Sequence, residues 1–246
     1  MTRIIGISGK KQSGKNTSAN FLHGLVLRAN GLAPDFKIDT EGELAVLTDA
    51  GWGVFDVTRK DSSFIEYAES NMWPYVKLYS FADGLKDLCV EFFDLEPIQV
   101  FGTDKDKNTK TKIRWENIPT WQNSSLNLDR GFMTARELLQ YFGTNIMRKM
   151  HENVWVNHTV KKIKSEQTEL AIIADVRFPN EVDAILQAGG EVIKLQRAPL
   201  KDNHESETAL DEGNFDQSKF SHIIPSGSID DLCVPLEKIF VKGNTC

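Results

Sequence analysis

Cysteine is scarce: Cys89, Cys233 and Cys246 are the only three in 246 residues, and no two form a CxxC pair. That argues against a disulfide scaffold or a structural zinc site and favours a reducing cytoplasm as the setting. Long apolar runs are absent too, so no membrane span is expected. The opening Met-Thr-Arg-Ile-Ile-Gly-Ile-Ser has too short an apolar run for a secretory signal and lacks a small-residue cleavage site. Basic residues are in deficit. Lys plus Arg number 29 against 35 Asp plus Glu, a formal charge of −6, so sequence-independent binding to a nucleic-acid polymer is not expected. The five histidines form no recognisable triad with a nucleophile, and there is no internal repeat or low-complexity tract. What is present, 40% hydrophobic and 26% charged residues, is the ordinary make-up of a folded soluble chain. The length suits one large domain, 1–246, carrying insertions.

Five short runs read as strands: Arg3–Ser8, Val76–Phe81, Leu170–Ala174, Glu191–Leu195 and Ser221–Ile224. Most are β-branched and apolar with little alternation, as expected of strands covered on both faces. Helical patterns alternate with them over Thr17–Ala29, Asp83–Phe93 and Val182–Ala188. Strand alternating with helix implies parallel βαβ units, hence an α/β fold with helices on both faces of a five-stranded parallel sheet. Two stretches break the rhythm. Residues 31–75 look like a small β-excursion set into the first crossover, and the polar stretch 102–131 reads as a mobile loop.

Gly9-Lys10-Lys11-Gln12-Ser13-Gly14-Lys15-Asn16-Thr17 follows the first strand and opens the first helix. Glycines allow a tight loop whose backbone N–H groups point inward at the positive end of a helix, where phosphate oxygens bind. Lys15 can then reach the outer phosphates, and a hydroxyl at the helix start can hold Mg²⁺. A GxxxxGK match is expected by chance only about 0.07 times in a chain of this length, and a chance match has no reason to lie between a strand and a helix. The hydroxyl stands at Thr17, one place later than in the strict pattern, with Asn16 between. That GKxT form resembles the nucleoside monophosphate kinases.

Leu170-Ala-Ile-Ile-Ala-Asp175-Val-Arg177-Phe-Pro-Asn-Glu181 is a buried-type strand ending in an acid. An Asp at the carboxyl end of a parallel strand faces the crevice where α/β proteins bind ligands; beside a phosphate loop it would orient Mg²⁺ through water. Arg177 would present a rigid donor fork to a second phosphate. The plainer alternative has Asp175 capping the next helix and Arg177 pairing with Glu181. Further back, Thr134-Ala-Arg136-Glu137 is a capping box, and Arg136, Gln140 and Thr144 recur every four residues, which stacks them on one helix face. Arginine, amide and hydroxyl suit a nucleotide's phosphate, base edge and sugar; a solvated face is the bland alternative.

Taken together, Ser80-Phe-Ala-Asp-Gly-Leu-Lys86, Arg136-Glu-Leu-Leu-Gln140-Tyr-Phe-Gly-Thr144, Asn153-Val-Trp155-Val and Asp175-Val-Arg177-Phe-Pro-Asn-Glu181 resemble, in order, the deoxynucleoside monophosphate kinases of tailed bacteriophages. The resemblance implies a P-loop kinase fold with strand order 2-3-1-4-5, a nucleotide-binding subregion and a short lid, here 198–219. It implies ATP with Mg²⁺, deoxynucleoside monophosphates as acceptors, and a place in the cytoplasm of an infected cell. By motif, Gly9, Ser13, Gly14, Lys15, Asn16 and Thr17 serve the donor phosphates, with Thr17 and Asp175 at the metal. Lys86, Arg136, Gln140, Thr144, Trp155, Arg177 and Glu181 serve the acceptor, and Lys15, Arg136, Asp175 and Arg177 carry the catalysis. Arg197, ending the fourth strand, either stacks on adenine or is a surface cation, and Trp155 either stacks on a base or belongs to the core. A homodimer is compatible with this reading. Two departures from the family pattern stand out: Asn16 where Asp is usual, and Gly84 where Pro is usual. Other readings of the loop are a different small-molecule kinase such as a dephospho-coenzyme A kinase, a nucleotide-driven switch, or a structural protein with an inactive loop.

Overall fold

Uninterrupted β-branched runs build the centre of the molecule. The computed structural model describes residues 2–118, 130–196, 208–225 and 227–243. They fall into two compact units, one formed by the residues up to Ser80 with those from Thr159 onward, the other by Phe81–His158. In chain order the first unit opens with β1 (Arg3–Gly9), α1 (Lys15–Ala29), β2 (Phe36–Ile38), β3 (Leu44–Thr48), β4 (Gly51–Val54), α2 (Ser62–Asn71) and β5 (Val76–Tyr79). The second holds α3 (Asp83–Phe93), α4 (Pro97–Phe101), α5 (Asp104–Lys107), β6 (Lys110–Arg114), β7 (Phe132–Thr134) and α6 (Ala135–Gln140). The chain then runs through α7 (Val154–Glu166), β8 (Leu170–Val176), α8 (Pro179–Gln187), β9 (Glu191–Gln196), β10 (His222–Pro225) and α9 (Ile229–Gly243).

The main sheet has the order β10-β9-β1-β8-β5, and every pairing in it is parallel. This is the expected 2-3-1-4-5 arrangement of five strands, viewed from the other edge. β1 is the central strand, with Ile5 opposite Ile172 on one side and Glu191 on the other. Its side chains alternate between two helical layers, as strand geometry requires. Ile5 and Ile7 join Leu22, Leu25 and Val26 of α1 and Leu236 and Phe240 of α9 in one core. Gly6 faces the opposite way, where a β-carbon would come within 2.6 Å of Ile185 of α8.

Between α1 and β5 lies an antiparallel sheet in the order β2-β3-β4. Phe36 of β2 lies so close over Gly24 of α1 that no side chain fits there. A helix follows that periodicity alone did not bring out: α2 starts at Asp61, whose carboxylate accepts from Phe64 N–H at 3.1 Å, and it buries Phe64 and Ala68.

The second unit has its own core of Cys89, Val100, Met133 and Leu138. It also corrects the expectation that 102–131 is loop throughout. Thr103 and Asp106 form a reciprocal cap that starts α5, and Lys110–Arg114 pairs antiparallel with β7, burying Thr111. Charged side chains mask the strand because those on its other face point to solvent. A second correction concerns the helix after Thr134. The capping box is present, with Glu137 N–H donating to Thr134 Oγ1 at 3.1 Å and Thr134 N–H to Glu137 Oε2 at 2.6 Å. After Gln140, however, the chain winds as a π-helix over Tyr141–Arg148, so Thr144 does not follow Gln140 at α-helical phase.

Candidate active site

β1 delivers the chain into the loop 9–15, and the loop closes on itself. Ser13 N–H donates to Lys10 O at 3.1 Å, and the Lys15 ammonium donates back across the loop to Gly9 O at 2.5 Å and Lys10 O at 2.7 Å. Gly14, at the start of α1, has φ 92°, a left-handed conformation open to glycine at no steric cost. No side chain caps α1, and its first turn carries no acidic residue, whereas Asp61 and Thr134 cap α2 and α6. An anion at the N-terminal end of α1 is favoured by the helix dipole.

This loop borders a cleft of about 590 Å³, within the range of small-ligand sites. Lys11 to Thr17 line one side, Arg177 another, Thr40–Gly42 from the β2–β3 turn a third, and Gly227–Ile229 at the start of α9 a fourth. Ser13, Gly14, Lys15, Asn16, Thr17 and Arg177 therefore meet in one place. Gly9 contributes the carbonyl that holds Lys15. Among the described residues no cluster of three or more His, Cys, Asp or Glu side chains could hold a metal alone. Among the lining residues Thr17 offers a hydroxyl and Glu41 a carboxylate, and oxygen donors of that kind suit a divalent ion carried on a phosphate chain.

Asp175 and Glu181 are not among the residues that line the cleft; they stand two residues before and four residues after Arg177, which is. Asp175, the penultimate residue of β8, accepts from Ser80 Oγ at 2.5 Å. Glu181 is 2% exposed, and its Oε2 accepts from the N–H groups of Arg177 at 2.7 Å and Phe178 at 3.0 Å. The carboxylate thereby fixes the turn that presents Arg177.

The other expected residues lie in the second unit. Arg136 is half-buried; its Nε donates to Asn108 Oδ1 at 3.1 Å and its Nη2 to Asp104 Oδ1 at 2.8 Å. Gln140 and Thr144 are exposed. Lys86 lies 3.6 Å from Asp83 and 5.1 Å from the centre of the Phe101 ring. Trp155, the candidate for stacking on a base, is only 5% exposed. Its indole N–H donates to Gly143 O at 3.2 Å, inside the π-helix, so in this structure it holds that turn in place. Arg197 lies outside the described residues, as do residues 198–207 of the expected lid. Within the rest of that lid, Asp211 pairs with Lys10 of the loop at 2.9 Å, and Leu210 O accepts from the Lys194 ammonium at 2.9 Å.

Four features were missed: Lys10, Ser80, the turn at Thr40–Gly42, and Lys107. Burial lowers the ammonium pKa of Lys107, with Lys86 the next cause and Arg136 adding to it, against Asp104 and Asp106. Three cations are gathered in one neighbourhood of the second unit. Lys10 stands within the loop motif and Ser80 heads the Ser80–Lys86 motif, whereas Thr40–Gly42 and Lys107 carry no such signal.

A family model described as deoxynucleotide monophosphate kinase matches residues 81–233, more than half of the chain. The chain belongs to that family. A protein of Acanthamoeba polyphaga mimivirus named for deoxynucleotide monophosphate kinase is 34% identical over 145 residues, 53% of this chain and 67% of the relative. The deoxynucleoside-5'-monophosphate kinase of Escherichia phage T5 is 29% identical over 89 residues, 32% of this chain and 36% of the relative. An uncharacterised protein of Ictalurid herpesvirus 1 is 32% identical over 138 residues, 53% of this chain and 54% of the relative. The chain thus spans two thirds of the mimivirus relative and smaller shares of the other two. Membership in the deoxynucleotide monophosphate kinase family makes this a phosphotransferase. No helix among the described residues is long and apolar enough to cross a membrane. The family match begins at Phe81, so the phosphate loop and the β2–β4 insertion lie outside it.

Proposed function

We propose that the protein transfers the γ-phosphoryl group of ATP to a deoxynucleoside 5'-monophosphate, giving ADP and the diphosphate. The observation that carries this reading is that the phosphate loop and Arg177 line the same cleft. An oxygen of the acceptor's phosphate attacks the γ-phosphorus in line. The new O–P bond forms as the β–γ bridging bond breaks, and its electron pair leaves with ADP. The acceptor is already an anionic nucleophile, so no protein base is required. Mg²⁺ carried with ATP would neutralise charge between the outer phosphates, and Thr17 and Asp175 are the residues we assign to hold it.

The chain's own residues then do three things. The uncapped start of α1 and the loop N–H groups bind donor phosphates. Lys15 trades the Gly9 and Lys10 carbonyls for phosphate oxygens, bringing its charge to the group in transfer. Arg177, held by Glu181, grips a phosphate with parallel donors, a geometry that a lysine cannot reproduce. In the second unit we assign Arg136, with Lys86 and Lys107, to the acceptor's charge, and Gln140 and Thr144 to its base and sugar.

The test is a coupled ADP-release assay with each of the four deoxynucleoside monophosphates and the matching ribonucleotides, run beside Lys15→Ala. Release that requires a deoxynucleoside monophosphate, and falls at least about a hundredfold in the variant, is the expected result. Release independent of any monophosphate points instead to a nucleotide-driven switch.

A further inference from the structure

The inserted β2–β3 turn reaches the residue assigned to the metal. Gly42, at φ +86°, lies against Thr17 so closely that a β-carbon at position 42 would collide with Thr17 Oγ1. One helical turn along α1, the buried Asn20 donates from Nδ2 to Gly42 O at 3.0 Å. The turn itself is tightly made. Asp39 Oδ1 accepts from Glu41 N–H and Glu43 N–H, both at 2.9 Å, and Asp39 O accepts from Gly42 N–H at 3.0 Å. Thr40, Glu41 and Gly42 all line the cleft. A hairpin that served only to cover α1 would need neither a left-handed glycine at this contact nor a buried amide clamping it.

We infer that this turn is part of the donor site: Gly42, clamped by Asn20, sets the direction of the Thr17 hydroxyl and leaves it room to act as a ligand to a divalent cation. The inference rests on the reading of 9–17 as the donor site. Its physical basis is that a threonine's χ1 is stiff, while magnesium tolerates little departure from octahedral geometry. A β-carbon at 42 must turn or displace that hydroxyl. Gly42 and Asn20 are therefore positioning residues; neither is assigned a contact with phosphate.

The test measures ATP affinity by calorimetry, in magnesium and in EDTA, for the full chain and three variants. Gly42→Ala should weaken binding about tenfold or more in magnesium and leave it unchanged in EDTA. Gly51→Ala controls for backbone strain alone: it imposes the same left-handed penalty in the same insertion, at φ +102° with nothing within 4 Å, and both affinities should stay at the wild-type values. Asn20→Ala keeps the glycine and frees its carbonyl. It should show the same magnesium-specific loss to a smaller degree, and it decides the matter if Gly42→Ala does not fold. Equal losses in magnesium and EDTA, or wild-type affinity in magnesium for both Gly42→Ala and Asn20→Ala, would overturn the inference. Wild-type protein that binds no ATP in either condition would remove the donor-site reading, and this inference with it.

Discussion

The backbone N–H of Arg177 donates to the buried carboxylate of Glu181 at 2.7 Å, and the N–H of Phe178 shares the same oxygen at 3.0 Å. One acid thus holds the turn on which the cleft's arginine stands. Arg177→Lys keeps the charge and loses the fork, so kcat/KM for the monophosphate should fall about ten- to a hundredfold, with ATP affinity and melting temperature unchanged. Glu181→Ala leaves two donors without their acceptor. It should cost roughly 2–4 kcal/mol of stability, read as a lower denaturation midpoint. If Arg177→Lys weakens ATP and monophosphate equally, the arginine serves the donor.

The GKxT spacing places the metal-side hydroxyl at Thr17, which lines the cleft beside Asn16. Thr17→Ala should therefore raise the magnesium concentration needed for half-maximal rate more than Asn16→Ala does. Titrating magnesium at fixed ATP checks this, and the reverse order would mean that the loop is read one residue out of register.

Trp155 donates its indole N–H to a carbonyl of the π-helix. Trp155→Phe keeps an aromatic face and removes only that bond. Stability should drop by about 1 kcal/mol, while the ratio of kcat/KM among the four bases stays the same. A change in base preference with unchanged stability would restore the stacking role.

Burial pushes the His23 imidazole from the ordinary 6.5 down to about 4. Below pH 6.5 the unfolded chain takes up a proton that the folded chain refuses until about pH 4, so stability falls with acidification through that window. Between pH 7 and pH 5 the loss should be roughly 2 kcal/mol. Urea midpoints across this range should fall less steeply for His23→Gln; an identical slope would clear His23 of the effect.

Much of the fold was legible because parallel strands covered on both faces need apolar, β-branched runs, and such runs survive reading without any contacts. Each of the five sheet strands was placed to within about two residues, and the start of α6 followed from the Thr134–Glu137 capping box. α2 escaped because only Phe64 and Ala68 along it are buried, too few to set up a period. The π-helix escaped because Tyr-Phe-Gly-Thr carries no signature that separates it from an α-helix. The loop half of the site was legible for the opposite reason: its chemistry sits in nine consecutive residues. Gly42 against Thr17 and Ser80 against Asp175 are tertiary contacts. No spacing within a single segment could report them.

The place of β1 at the middle of the sheet sets a timetable for synthesis. Its hydrogen-bonding neighbours are Leu170–Val176 and Glu191–Gln196, so β1 waits for strands made long after it. Translation at roughly 5–20 residues per second leaves that strand, with its row of isoleucines, without a partner for many seconds. Pairing between such distant segments is also slow once both exist. The nascent phosphate loop therefore has no neighbouring strand to stand on until Val176 has cleared the ribosome, and its second neighbour follows only with Gln196.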